Sequence, residues 1–137
     1  MDDLVYLGFV DGASQYTLNL ASMAWVIYYT SSNLLVSRGI CIDHASNNVV
    51  EYTVIVNLLF EAISLGIDSL VVYLDSQLVV SQLNNIYRVR DPYLYFQHLL
   101  QRTFNFITFN HIPRSENSFA DSIANQALYW NINHSAH

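Results

Sequence analysis

An α/β fold, with one mixed sheet covered by helices, follows from three observations on this 137-residue chain. Three apolar runs rich in β-branched and aromatic residues come first, with a turn signal between the second and third. A long amphipathic segment of helical period then leads into a short, fully apolar run. The remainder alternates helical and strand-like patterns and ends on a helix. Strands interleaved with helices in this way imply a single sheet with helices packed against it.

Leu4–Val10 (Leu-Val-Tyr-Leu-Gly-Phe-Val) reads as a buried strand ending at Asp11. Ala21–Thr30 is a second strand, Ser31-Ser32-Asn33 a turn, and Leu34–Ile42 a third strand. Together they predict an antiparallel meander. Asn47–Leu65 takes helical period, with Ile55, Leu58, Leu59, Ala62 and Leu65 on its apolar stripe and Gly66 as C-terminal cap. Ser69–Leu74 is short and β-branched, and a strand after a helix predicts a parallel crossover onto the first sheet. Ser76–Asn85 reads as a short helix. Asp91-Pro92 opens another, with proline at the first helical position and Leu94, Phe96, Leu99 and Leu100 as its apolar residues. Phe104–Ile112 is a fifth strand. Ser115 or Asn117 caps a final helix to about Trp130, with Ala120, Ile123, Ala124, Ala127 and Leu128 facing inward. The predicted order is βββαβααβα.

Composition narrows the classes. The length suits one ordinary domain covering 1–137, and 53% apolar residues are ample for a core. No stretch resembles a linker, and so much apolar surface excludes a disordered chain. The apolar runs are too short and interrupted to span a bilayer, and the acidic start Met1-Asp2-Asp3 is no signal peptide. Cys41 stands alone, without a disulfide partner or the companions of a zinc site. The expected compartment is intracellular, cytoplasmic or nuclear. The net charge is −6, and all positive charge comes from Arg38, Arg88, Arg90, Arg102 and Arg114, with no lysine. By itself this balance runs against strong non-specific nucleic-acid binding.

Four acids stand out in a chain otherwise poor in charge: Asp11, Glu51, Asp75 and Asp121. Asp11 ends the first strand and Asp75 ends the crossover strand. If those strands are parallel neighbours, both carboxylates emerge at one sheet edge, where open α/β sheets bind ligands. Glu51, at the start of the crossover helix, can lean over that edge, and Asp121 can close the fourth side. Two anions ~4 Å apart repel by about 4 kcal/mol at an effective dielectric near 20. A convergent set therefore needs a cation, and all-oxygen ligands suit a hard divalent one. Each acid also has a plain structural reading. Asn48 and Glu51 fit a capping box, and Asp75 fits a cap for the helix at Ser76. Asp11 before Gly12 fits a turn, and Asp121 fits a solvated helix position. These readings leave unexplained why all four fall at one predicted edge.

Five segments in order carry a family likeness. They are Val10-Asp11-Gly12-Ala13-Ser14, Asn47-Asn48-Val49-Val50-Glu51-Tyr52, Leu74-Asp75-Ser76-Gln77-Leu78-Val79, Tyr87-Arg88-Val89-Arg90-Asp91-Pro92, and His111-Ile112-Pro113-Arg114-Ser115-Glu116-Asn117 followed by Ala120-Asp121. Between Val10 and about Leu128 the chain resembles the type 1 ribonuclease H family. Its likeness is to the branch of compact stand-alone enzymes and of ribonuclease H-like domains in retroelement polyproteins. The resemblance implies a ribonuclease H-like fold with a five-stranded mixed sheet, order 3-2-1-4-5, flanked by helices. It also implies hydrolysis of the RNA strand of an RNA–DNA hybrid with two Mg2+ ions, for which Mn2+ can substitute. Asp11, Glu51, Asp75 and Asp121 match that family's four metal-binding positions.

That chemistry suits the residues. Phosphodiester hydrolysis needs an activated water and a neutralised leaving oxygen, and two divalent ions ~3.5–4 Å apart supply both. The resemblance offers two residues to assist turnover, His111 and Arg114. Histidine can shuttle protons near neutral pH, whereas arginine only attracts charge. For the substrate it implies that Asn47 and Asn48 read the minor groove, where RNA displays its 2′-hydroxyls. It sets Ser46 at the DNA phosphate and the backbone of Gly12, Ala13 and Ser14 at the RNA. The chain departs from the family in Gln15–Leu20, which lacks the usual glycines, and in having no basic helical protrusion before Asp121. Three functions stay open: a hybrid-specific nuclease, a non-catalytic nucleic-acid-binding or scaffolding module of a retroelement polyprotein, and a metal-dependent nuclease for another substrate. The expected form is a monomer or a piece of a larger polyprotein, with no membrane partner.

Overall fold

The computed structural model describes residues 4–15, 17, 19–30, 33–43, 47–84, 100 and 102–134, with backbone alone at 15, 30, 43, 47–49 and 131–134. The strands are β1 (Tyr6–Gln15), β2 (Leu20–Thr30), β3 (Asn33–Asp43), β4 (Ser69–Leu74) and β5 (Phe106–His111). The helices are α1 (Asn47–Ser64), α2 (Gln77–Asn84) and α3 (Ser118–His134). Of the helix expected from Asp91-Pro92 only Leu100 is described, helical and half-buried against the core; the rest lies outside the described residues, as do Ser46, Tyr87, Arg88 and Arg90. One sheet holds all five strands in the order β3-β2-β1-β4-β5. β1–β2 and β2–β3 pair antiparallel, while β1–β4 and β4–β5 pair parallel. The predicted meander and crossover are both present.

Register assigns the helices to opposite faces. Alternation along β1 and β2 sends Gly12 and Met23 to one side and Asp11 and Ala24 to the other. A Cβ at Gly12 would meet Val50 of α1, whereas one at Gly39, which pairs with Ala24, would meet Ile123 of α3. α1 thus covers the first face and α3 the second. The main core lies under α1 and α2: Val10, Ile27, Ile55, Leu58, Leu59, Leu70, Val72 and Leu74 are all inaccessible to solvent. Each such side chain contributes about 1.5–3 kcal/mol by burial. Across the sheet, Ser22 Oγ donates 2.5 Å to Ala124 O, satisfying a buried hydroxyl between β2 and α3.

Local chemistry accounts for the ends. Gly66 stops α1 with φ +75, and Ile67 N–H bonds Ala62 O at 2.9 Å, a left-handed C-terminal cap. Ser76 caps α2, its Oγ accepting from Val79 N–H at 3.3 Å. Several expectations need correction. β1 does not end at Asp11 but continues to Gln15, because β2 pairs with it all the way to Gln15↔Leu20. β5 begins at Phe106, leaving Phe104 buried ahead of it. Leu65 is 46% exposed and lies off the apolar stripe, whereas Ile55, Leu58, Leu59 and Ala62 are buried. Among the described residues no helix is long and apolar enough to cross a membrane.

Candidate active site

The site forms where β1 outruns β4. Pairing between them stops at Phe9↔Tyr73. The same register, carried two residues further, sets Asp11 beside Asp75. Both therefore leave the sheet on the α3 face, just past the stacked rings of Phe9 and Tyr73, whose centroids are 5.0 Å apart. Beyond Phe9, one side of β1 has no strand beside it among the described residues. The Val10 carbonyl on that side accepts instead from Asn117 Nδ2 at 2.8 Å.

Glu51 arrives from the other face. It is the fifth residue of α1, beyond the position a capping box would use. Gly12 lets it approach: a Cβ there would lie 2.5 Å from Val50 Cγ1 and 3.6 Å from Glu51 Oε1. Gly8, on the same face of β1, is similarly crowded by Leu58. Two glycines four residues apart in one strand are the sequence signal for this close helix approach. Carboxylate oxygens of Asp11, Glu51 and Asp75 lie within 4.8 Å of one another.

Asp121 stands outside this tight triad but lines the same cleft of about 460 Å3, with Gly12, Ala13, Ser14, Ser76, Arg114 and Asn125. Arg114 Nη2 is 4.0 Å from Asp121 Oδ1. So long a contact by a largely exposed side chain contributes little to stability, which leaves the guanidinium available to an anion in the cleft. His111 ends β5 opposite Leu74, is exposed, and does not line the cleft. Gly12, Ala13 and Ser14 are cleft residues. The side chains of Asn47 and Asn48 lie outside the described residues. Sequence reasoning missed Asn125, which sits one helical turn after Asp121, and the side-chain role of Asn117. The i, i+4 spacing from Asp121 was the available signal for Asn125.

The electrostatics separate these acids from ordinary surface carboxylates. Asp11 is only 3% exposed. Burial first, then the Asp75 charge and a hydrogen bond shared with Asp121, push its carboxyl up to about 8, against the Gly12 N–H that donates to Oδ1 at 2.9 Å. Glu51 rises to about 7 through burial and the charge of Asp75. Asp11 Oδ2 and Glu51 Oε2 are buried without a hydrogen-bond donor. Among the described residues no salt bridge reaches Asp11, Glu51 or Asp75. Three convergent carboxylates, two with unpartnered oxygens and all at the mouth of an open cleft, fit a hard divalent cation. The plain readings of Asp11 and Asp75 fall away, since Asp11 lies inside a strand and Ser76 is the cap of α2.

Comparison with known proteins agrees with this geometry. The family model described as reverse transcriptase-like matches residues 9–127. Ribonuclease HI of Halobacterium salinarum is 32% identical over 124 residues, covering 88% of this chain and 62% of that protein. Bifunctional protein Rv2228c of Mycobacterium tuberculosis is 33% identical over 123 residues, covering 86% of this chain and 34% of that protein. The chain thus spans only part of these curated relatives. The solved N-terminal RNase H domain of the latter superposes with a TM-score of 0.85 at 31% identity, covering 97% of this chain and 99% of that one. LC11-RNase H1, solved in complex with an RNA/DNA hybrid, gives a TM-score of 0.80 at 26% identity over 93% of this chain and 99% of its own.

Proposed function

We propose that this chain, which belongs to the reverse transcriptase-like family and is similar to type 1 ribonucleases H, is a metal-dependent endoribonuclease hydrolysing the RNA strand of RNA–DNA hybrids. One observation carries the reading: the oxygens of Asp11, Glu51 and Asp75 meet within 4.8 Å. No cation among the described residues neutralises them, and they open into a cleft shaped by the same segments that carry the family likeness.

Asp11, Glu51, Asp75 and Asp121 would hold two Mg2+ ions, for which Mn2+ would substitute. When bound, the ions supply an activated water and a neutralised leaving oxygen. The protein's own groups do the rest. Arg114 faces the cleft on an exposed side chain and draws the phosphate toward the acids. His111, at the end of β5 and outside the cleft lining, is the second candidate to assist turnover. The stretch of β1 from Gly12 to Ser14 lines the cleft, and its backbone contacts the RNA strand. Asn47 and Asn48, at the first turn of α1, read the minor groove and so select RNA by its 2′-hydroxyls. Ser46 holds the DNA phosphate. The 137 residues form one ribonuclease H-like domain acting in an intracellular compartment, as a monomer or within a larger polyprotein.

A labelled RNA–DNA hybrid, with duplex RNA and single-stranded DNA beside it, tests the proposal in Mg2+ and in Mn2+. The expected result is cleavage of the hybrid's RNA strand alone, abolished by chelator. Hybrid binding without cleavage in either ion, by protein that calorimetry shows takes up no metal, would return the domain to a scaffolding role.

A further inference from the structure

Asn117 is bonded to Asp75, to the backbone of Asp121 and to the residue before Asp11, though it is not one of the acids. It lies between the 3-10 turn Arg114–Glu116 and α3, and is 2% exposed. Its backbone N–H bonds Arg114 O at 3.0 Å, and its carbonyl accepts from Asp121 N–H at 3.1 Å. Its side-chain Nδ2 donates to Val10 O at 2.8 Å and, more weakly, to Asp75 Oδ2 at 3.4 Å. One residue therefore joins the segment before Asp11, the Asp75 carboxylate, the first turn bearing Asp121, and Arg114.

The orientation of the amide excludes the role the sequence suggested. A helix N-cap uses its side-chain oxygen to accept from a backbone N–H one turn on. Asn117 Oδ1 is buried and has no partner. Flipping the amide would point that oxygen at a carbonyl and a carboxylate, both acceptors, so the network allows one orientation only. The two hydrogens on Nδ2 are what the site uses. An amide supplies both without charge, whereas a lysine or arginine here would neutralise Asp75 and compete with a cation.

Resting on the nuclease reading above, we propose that Asn117 is a positioning residue that sets the spacing of Asp75 from Asp11 for divalent-cation binding. It ties the open edge of β1 to the carboxylate at the end of β4, where no strand pairing remains to do so. Outer-shell partners of metal ligands typically change affinity or activity by about 10–100-fold when removed.

The test measures cation uptake, not turnover alone. Mg2+ and Mn2+ affinity by calorimetry should weaken about 10–100-fold in Asn117→Ala. The Mg2+ concentration for half-maximal hybrid cleavage should rise in step, while KM for the hybrid at saturating Mg2+ stays within about twofold. Asn117→Ser, which keeps one donor, should fall between. The wild-type protein supplies a readout independent of folding of the variants: the Asn117 side-chain NH2 resonances should shift on Mg2+ titration and saturate with the calorimetric affinity. Unchanged cation affinity in Asn117→Ala, or NH2 resonances unmoved at saturating Mg2+, overturns the assignment while leaving the nuclease reading intact. A wild-type protein that neither binds the cation nor cleaves the hybrid removes both.

Discussion

Helix α1 carries two glutamates ten residues apart, and the protein treats them in opposite ways. Glu61 is held by protein donors: Arg38 Nε and Trp25 Nε1 both lie 3.0 Å from Oε1, and Arg38 Nη2 lies 3.4 Å from Oε2. The Arg38 hydrogen bond, helped by Trp25, keeps it below the usual carboxylate range despite some burial. Glu51 is surrounded by other acids, with Oε2 buried and unpartnered, and is pushed up to about 7 by burial and by Asp75. A carboxylate that serves the fold is neutralised from within. One left buried beside like charges tells of a cation from outside.

The largest break in that comparison comes from substitution at each end. Glu51→Gln or Asp75→Asn should lower hybrid cleavage by three decades or more, roughly 4 kcal/mol of transition-state stabilisation. Glu61→Gln should leave cleavage within about twofold. Without metal, Asp75→Asn should melt higher than wild type, because it removes repulsion, and calorimetric melting curves in chelator check this. A lower melting temperature would mean the acids do not destabilise one another.

Cation linkage comes next. At Mg2+ near 100 times its Kd the native state should gain about 2.7 kcal/mol, a rise of several degrees for a chain of this size. Glu51→Gln should shrink the rise, and Glu61→Gln should keep it in full.

pH dependence gives the two ends opposite signs. Asp11 moves from 3.8 to about 8 on folding and Glu51 from 4.5 to about 7. Groups raised on folding contribute stability that is complete below their unfolded values and is lost as pH climbs through the folded ones. Metal-free protein should therefore lose stability between roughly pH 4 and pH 8, and saturating Mg2+ should flatten that decline. Glu61, lowered on folding, contributes above its unfolded value of 4.5 and loses that contribution as pH falls through its folded value. Melting temperatures from acid to mildly alkaline pH, with chelator and with Mg2+, separate the two.

Gly12→Ala tests the approach of α1 itself. Its new methyl would sit 2.5 Å from Val50 Cγ1, and overpacking of this kind costs about 1–3 kcal/mol. Cleavage should fall as well, since Glu51 is carried outward with the helix. Smallest of all, Glu61→Gln should destabilise the fold by no more than about 1 kcal/mol, the scale of a partly exposed ion pair, as denaturant titration would measure.

Much of this was legible along the chain, and the misses have a common cause. Ser69–Leu74 agrees to the residue with its strand, and β2 and β3 differ by one residue at each misjudged end. Their apolar runs are bounded by local turn and cap signals. Asp11-Gly12 looked like a strand end because Asp and Gly favour turns. Pairing with β2, a non-local contact, carries the strand through them. Asn117 looked like a helix cap for the same reason: its neighbours in sequence suit a cap, while its partners Val10 and Asp75 are far away in the chain. Leu65 fitted the helical period but falls just beyond Ser64, at the turn closed by Gly66, where its side chain is exposed while Ile67 returns to the core.

The residue pattern alone determined which segments become strands and helices, because periodicity and capping act over a few residues, and it offered four acids as candidates. Tertiary structure decided how those acids meet. The β1–β4 register aligns Asp11 with Asp75, and the bare face of Gly12 lets α1 bring in Glu51. Asn117 spans the gap where pairing stops. The order of residues does not state distances between segments. Backbone hydrogen bonding across the sheet and the closeness of helix packing set them, and those distances turn separate acids into one mutually repelling site.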